Sequence, residues 1–167
     1  MKRLDIQGCS AEQIKSITER NTTVRLEEHL ASLSEEVIAN IMADQMSVMA
    51  LIVRLEQLVD SPYSIMYGGW YQGEMIAYVA FTEMEACAEV HVEVLPEYQG
   101  QGFASELLSR TVEMIFSENR YPYLQYTVIP SNLPSIALVE KLGGALQKPA
   151  SYVEEMLLKT YVIQPKS

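Results

Sequence analysis

The chain has 167 residues, 49% of them hydrophobic, with a formal net charge of −10 and two cysteines. That length suits one domain, residues 1–167, with one sizeable core. The acid excess argues against a nucleic-acid partner, which would be gripped by clustered Lys and Arg, and Cys9 and Cys87, with only His29 and His91 to assist them, show neither metal-ligand spacing nor a disulfide framework. The opening Met-Lys-Arg-Leu-Asp-Ile lacks the apolar run of a signal peptide, and no stretch approaches about 18 uncharged apolar residues. A soluble, cytoplasmic protein with no membrane contact is expected.

Lys2 to Gln7 alternates weakly, as a first edge strand would, with Leu4 and Ile6 facing inward. Ser10 is placed to cap a helix running to about Glu19, with Ile14 and Ile17 on its buried stripe, before Asn21 and Thr22 interrupt it. Thr23 to Leu33 adds another turn or two of helix. The longest helical pattern spans Ser34 to Val59, with Ile38, Ile41, Met42, Met49, Ile52, Leu55 and Val59 along one stripe, and Asp60-Ser-Pro62 closes it. Tyr63 to Tyr71 and Met75 to Thr82 read as strands of a hairpin joined through Gln72-Gly73-Glu74, with Trp70 and Tyr71 packing on the sheet.

The segment from Val90 to Leu108 reads strand, tight loop, helix. Apolar and polar residues alternate from Val90 to Val94, and Pro96 removes a backbone donor and ends the pairing. Gly100 and Gly102 follow, and without Cβ atoms they let backbone N–H groups approach a ligand closely. Ala104, Leu107, Leu108, Val112, Ile115 and Phe116 then recur at helical spacing, so the loop sits on a helix N-terminus, where free N–H groups and the dipole favour an anion such as phosphate. Ser105 stands where a Rossmann fingerprint needs its third glycine, and no Gly-Lys-Ser/Thr of a Walker loop occurs.

A second block runs from Tyr126 through Asn132, Pro134 and Lys141-Leu-Gly-Gly144. Tyr123 to Ile129 reads as a strand parallel to Glu89–Val94, because a helix crosses between them. Asn132 is a good N-cap, Pro134 sits where a first-turn proline is tolerated, and Gly143 or Gly144 supplies a left-handed C-cap. Ala145 to Lys148 and Tyr152 to Val162 read as a final strand or hairpin.

Together the two blocks, Gln99-Gly-Gln-Gly-Phe-Ala104 and Asn132-x-x-Ser135 ending in Lys-Leu-Gly143, resemble the GNAT N-acetyltransferases, and within them the branch of ribosomal-protein acetyltransferases and small-molecule relatives. The resemblance covers nearly the whole chain. It implies an α/β (α+β) fold, a mixed, mostly antiparallel central sheet with a splayed parallel pair flanked by helices. It also implies acetyl-CoA as cosubstrate and a small-molecule or peptide amine as acceptor. Helices between the first two strands would wall the acceptor site with Met42, Met46 and Met49, although such a stripe equally suits core packing. Acidity would steer a cationic amine, and serves solubility as well. A homodimer is compatible with the sequence.

By the same resemblance, main-chain groups of Val92, Glu93 and Val94 pair with pantetheine, and the Val94 N–H faces the thioester oxygen. Gln99, Gly100, Gln101, Gly102, Phe103, Ala104 and Ser105 hold the pyrophosphate, and Asn132, with Ser135 beside it, touches the cofactor from the other wall. An amine arrives wholly or partly protonated at neutral pH, so a base is expected. Glu89, His91 and Glu93 alternate on one face of the strand unless a bulge near Val94 intervenes, and Glu93 ranks first, His91 second, Glu89 third. Many relatives carry a tyrosine seven residues after the asparagine, where this chain has Val139. Either Tyr126 or Tyr152 substitutes as the catalytic acid, or the thiolate leaves unassisted. Ser135 fits a cap better than an acid, and Cys87 fits a core residue better than an acyl carrier. The competing reading is a non-catalytic acyl-CoA-binding or interaction module.

Overall fold

The computed structural model describes residues 2–30, 65–128, 130, 132–153 and 156–166. The helical pattern over 34–59, with its methionines, lies outside them. The elements are β1 (Asp5–Gly8), α1 (Ala11–Leu30), β2 (Ile65–Tyr71), β3 (Glu74–Glu83), β4 (Ala88–Val94), a 3-10 turn (Pro96–Tyr98), α2 (Phe103–Ser117), β5 (Leu124–Val128), α3 (Leu133–Lys141), β6 (Ala145–Val153) and β7 (Met156–Ile163). Seven strands form one sheet in the order β1-β2-β3-β4-β5-β7-β6, antiparallel except between β4 and β5. This is the mixed α/β architecture expected, with the C-terminal residues forming a hairpin whose second arm enters between β5 and β6.

Two helices cover opposite faces. A Cβ on Gly69 would lie 3.6 Å from Leu107 of α2, and Gly69 pairs with Ala77, which pairs with Val94. Tyr78 and Glu93 are one residue along, so they point to the other face, where Thr18 of α1 meets both. The core fills both sides: Ile14 and Ile17 of α1 are buried, as are Leu107, Leu108, Val112 and Ile115 of α2.

Local chemistry explains most boundaries. Ser10 and Gln13 form a reciprocal capping pair, Gln13 N–H donating to Ser10 Oγ at 3.2 Å and Ser10 N–H to Gln13 Oε1 at 2.8 Å. Contrary to expectation, Asn21 and Thr22 do not break the helix, which runs on to Leu30. Asn21 is buried and spends its side chain on β4, so it has no need to turn back on its own backbone. The β2–β3 turn is Gln72-Gly73 alone, with φ of 51° and 84°, the two positive values that a two-residue hairpin needs. Gly143, at φ 84°, is the left-handed residue after α3. Gly144 has a different constraint, since a Cβ there would come within 2.7 Å of the Val139 carbonyl oxygen.

The first strand starts at Asp5 rather than Lys2 because the preceding N–H groups are used elsewhere. Arg3 and Leu4 N–H donate to the Glu106 carboxylate at 3.0 and 2.7 Å, and Arg110 adds a contact at 3.0 Å. Burial pushes the Glu106 carboxyl up, but these donors outweigh it and hold the group below its usual range. Glu106→Ala is expected to cost about 2 kcal/mol in urea unfolding at pH 7, since two partly buried N–H groups lose a charged acceptor. A folded-state value below the unfolded one means that this stabilisation is complete above about pH 5. It fades as pH falls through the folded-state value, so the gap between wild type and variant should narrow in acid. An unchanged midpoint at pH 7 would remove Glu106 from this role.

Candidate active site between two parting strands

Strands β4 and β5 are in register at only two pairs, Ala88 with Leu124 and Glu89 with Gln125. On its other side β4 keeps continuous register with β3 from Ala88 to Val94, with no bulge. From Val90 onward, therefore, the β4 edge facing β5 has no strand partner among the described residues. The expected opening lies beside Val94, and Glu89, His91 and Glu93 share one face.

The direction of the Val94 main chain follows from one bond. Leu95 N–H donates to Ile76 O of β3 at 2.7 Å, and across a trans peptide the Val94 carbonyl must point the opposite way, off β3. An extended residue carries its N–H and C=O on the same edge, so the Val94 N–H also aims into the opening. Two side chains hold the carbonyl there, Asn21 Nδ2 at 3.1 Å and Gln99 Nε2 at 3.0 Å, and Gln99 Nε2 lies 3.1 Å from Asn21 Oδ1.

Glu93 is half-buried on the α1 face. Thr18 Oγ1 donates to Glu93 Oε2 at 2.7 Å and lies 3.3 Å from the Tyr78 hydroxyl. Burial, then the Glu93 carboxylate, push the Tyr78 phenol well above its ordinary value, so Tyr78 keeps its proton and serves as a donor. Further toward the closed end of the opening, Glu89 is buried, accepts from Thr127 Oγ1 at 2.5 Å and has His91 Nε2 at 3.9 Å. The buried carboxyl oxygens thus have polar neighbours, as a buried polar group requires.

Beyond Val94 the chain makes its 3-10 turn and enters the glycine loop. Gly100 and Gly102 have φ of 73° and 84°, and Gly102 is the residue before α2. No side chain caps that helix, so first-turn N–H groups remain for a ligand. A Cβ on Gly100 would meet nothing within 4 Å, which leaves its approach open. Aromatic packing holds both ends of the loop: the Phe103 ring is 4.9 Å from Tyr71 and 6.0 Å from Tyr98, with the Arg3 guanidinium 4.0 Å above it. Arg3 Nη2 also donates to Gln101 O at 2.8 Å. Of the expected loop residues, Gln99, Gln101 and Phe103 commit their side chains to the protein, Gln101 Nε2 donating to Glu97 O at 3.0 Å, and offer a ligand only main chain.

Next to the loop is an open cavity of about 520 Å³ whose lining includes Gln101, Gly102, Ser105, Lys2, Arg3, Arg110 and Lys141. On the far wall, Asn132 Oδ1 accepts from Ser135 N–H at 3.3 Å, so Asn132 is the cap and Ser135 the capped residue. The Ser135 hydroxyl bonds to Tyr126, whose phenol is raised by burial and pulled partly back by that bond. Val139 is fully buried under Gly144. Cys87 is buried, and burial raises its thiol while a bond from Tyr123 works the other way, the reverse of an activated nucleophile. The Tyr152 side chain lies outside the described residues.

Residues 29–144 match the acetyltransferase (GNAT) family. The chain belongs to that family. In sequence, this GNAT chain is 39% identical over 62 residues to the SPbeta prophage-derived uncharacterized N-acetyltransferase YokL of Bacillus subtilis (strain 168), a match that spans 35% of either protein. Among solved structures, the ribosomal-protein-S5-alanine acetyltransferase of Vibrio fischeri superposes with a TM-score of 0.65 at 16% identity, covering 98% of this chain and 94% of that one. The spermidine N-acetyltransferase of Vibrio cholerae, in complex with CoA and spermine, gives 0.66 at 18%, covering 97% and 95%. At such identities the likeness speaks to the fold.

Sequence reasoning about this GNAT chain missed Thr18, Asn21, Tyr78 and the four cations. A signal for the first two existed. Ile14, Ile17, Thr18 and Asn21 fall at helical spacing on one stripe, so polar groups sat where burial was expected and needed partners. The cations gave none, being scattered at positions 2, 3, 110 and 141. Among the described residues no group of His, Cys, Asp and Glu could hold a metal ion, and no helix is long and apolar enough to cross a membrane.

Proposed function

We propose that the protein transfers an acetyl group from acetyl-CoA to a primary amine by direct attack in a ternary complex. The observation that carries this reading is the parting of β4 and β5 after two residue pairs, immediately beside a glycine loop on an uncapped helix N-terminus. A pantetheine arm has the length and amide spacing of a short strand, and the free edge of β4 offers it the backbone groups of Val92 and Val94, those of Glu93 being turned toward its partner Tyr78 on β3. Gly100 to Ser105 supply N–H groups to the diphosphate, and the missing Cβ atoms make room for it. When bound, acetyl-CoA supplies an acyl carbon activated by a thiol leaving group.

The residues then divide the work. The amine nitrogen attacks the thioester carbon; a C–N bond forms and the C–S bond breaks. Negative charge developing on the carbonyl oxygen meets the Val94 N–H, fixed in direction by the grip of Asn21 and Gln99 on its peptide neighbour. Glu93 takes the amine's proton, directly or through water, and Thr18 holds its carboxylate. Tyr126 retains its proton at neutral pH and can deliver it to the departing thiolate, drawing on Ser135. The acceptors of those two relatives, a ribosomal protein and spermidine, both carry amines, and a net charge of −10 favours a cationic acceptor.

The test is release of free CoA from acetyl-CoA in the presence of a panel of polyamines, amino acids and peptides, which should show turnover with at least one amine. Because a thiol of pKa near 8.5 leaves with little help, Tyr126→Phe should cost about tenfold or less in kcat. Val139 leaves the usual tyrosine position without a hydroxyl, which is the one feature favouring the non-catalytic module. Tight acetyl-CoA binding with no CoA release by any amine would establish that alternative.

A further inference from the structure

Four of the chain's 12 Lys and Arg residues line the cavity beside the glycine loop, in a protein with 22 acidic residues. They come from three separate parts of the fold: Lys2 and Arg3 before β1, Arg110 in α2 and Lys141 at the end of α3. Their charges are not equally spent. Arg3 and Arg110 contact Glu106 at 3.5 and 3.0 Å, the only carboxylate on that lining. Lys2 and Lys141 have no carboxylate partner among the described residues, and both are solvent-accessible. The cavity thus carries a surplus of three positive charges, four cations against one carboxylate, with Ser105 and Ser109 also on its lining. Gathering like charges costs Coulomb energy, which an anion of matching charge recovers.

The diphosphate needs little of this, because the loop's N–H groups already face it. Acetyl-CoA has a second anion, the monoester on the 3′-carbon of its adenosine ribose, which near pH 7 carries between one and two negative charges. Resting on the acetyl-CoA reading above, we propose that Lys2 and Lys141, with Arg3 and Arg110 behind them, form a recognition pocket for that 3′-phosphate. It makes the protein select coenzyme A over its 3′-dephospho form. The spacing suits this, since the pocket is continuous with Gln101 and Gly102 and extends along α2 to Ser109.

Titration calorimetry with acetyl-CoA and with 3′-dephospho-acetyl-CoA tests the proposal without relying on turnover. Wild type should bind the first about tenfold more tightly, a preference that shrinks with added salt. In the K2A/K141A double variant, acetyl-CoA should weaken until the two affinities lie within about threefold, with dephospho-acetyl-CoA binding unchanged. Both side chains are exposed, so a thermal melt matching wild type is expected alongside. Equal affinity of wild type for the two ligands would overturn the proposal, as would equal weakening of both by the double variant, which would assign the cations to the diphosphate. If wild type binds neither ligand, the acetyl-CoA reading falls instead, and this pocket with it.

Discussion

Gly102→Val is expected to lower acetyl-CoA affinity by at least about 100-fold, equivalent to ~2.7 kcal/mol. Two effects act together. At φ 84° a β-branched residue is strained, so the loop will relax out of the conformation that aims its N–H groups at the diphosphate. The new Cβ would also lie 3.3 Å from Arg3 Nη2, disturbing the guanidinium that holds Gln101 O. Strain alone would lower stability as well, by about 1–2 kcal/mol for one residue forced into the left-handed region, so a comparison is needed. Gly73 has the same φ of 84° in the β2–β3 turn and nothing within 4 Å of an added Cβ. Gly73→Val should show a similar loss in thermal stability with near-normal calorimetric affinity. If the two variants bind acetyl-CoA equally well, the glycine loop is only a strand-to-helix turn.

That loop was legible in the sequence because its physics is local: two glycines, an apolar helical stripe, a proline that ends a strand. The same holds for the Asn132 cap, whose partner is three residues away. Orientation across elements was not legible. Nothing within Val90–Val94 says that Leu95 will bond to Ile76, yet this bond turns the Val94 N–H toward the opening. Likewise, Asn21 read as a helix breaker by its intrinsic preference, whereas the Val94 carbonyl gave its amide a tertiary partner and the helix continued. The position of Val139 was clear as a departure from relatives, but its burial under Gly144 needed the turn after α3 to be in place. Local rules thus located the glycine loop, and the long-range hydrogen bonds determined what faces it.

Glu93→Gln is expected to reduce kcat/KM by about 100-fold at pH 7, the lower end of what a positioned base contributes. Glutamine keeps the size and can still accept from Thr18, so the fold and acetyl-CoA affinity should hold while proton removal is lost. The deficit has a predicted direction with pH. A lysine-type amine has an ordinary pKa near 10.4, and as the pH rises toward it more acceptor arrives already deprotonated and needs no base. The variant's rate should therefore climb faster than wild type's above about pH 8, and a constant ratio across the range would exclude Glu93 from proton transfer. Thr18 separates chemistry from mere presence of the carboxylate. Its hydroxyl donates to Glu93 at 2.7 Å from another element of the fold, so Thr18→Val should lower kcat severalfold with little change in the acetyl-CoA dissociation constant, and Thr18→Ser should restore it. A defect in Thr18→Val that serine fails to rescue would point to packing under α1 rather than to the hydrogen bond, because serine restores the hydroxyl donor that valine lacks.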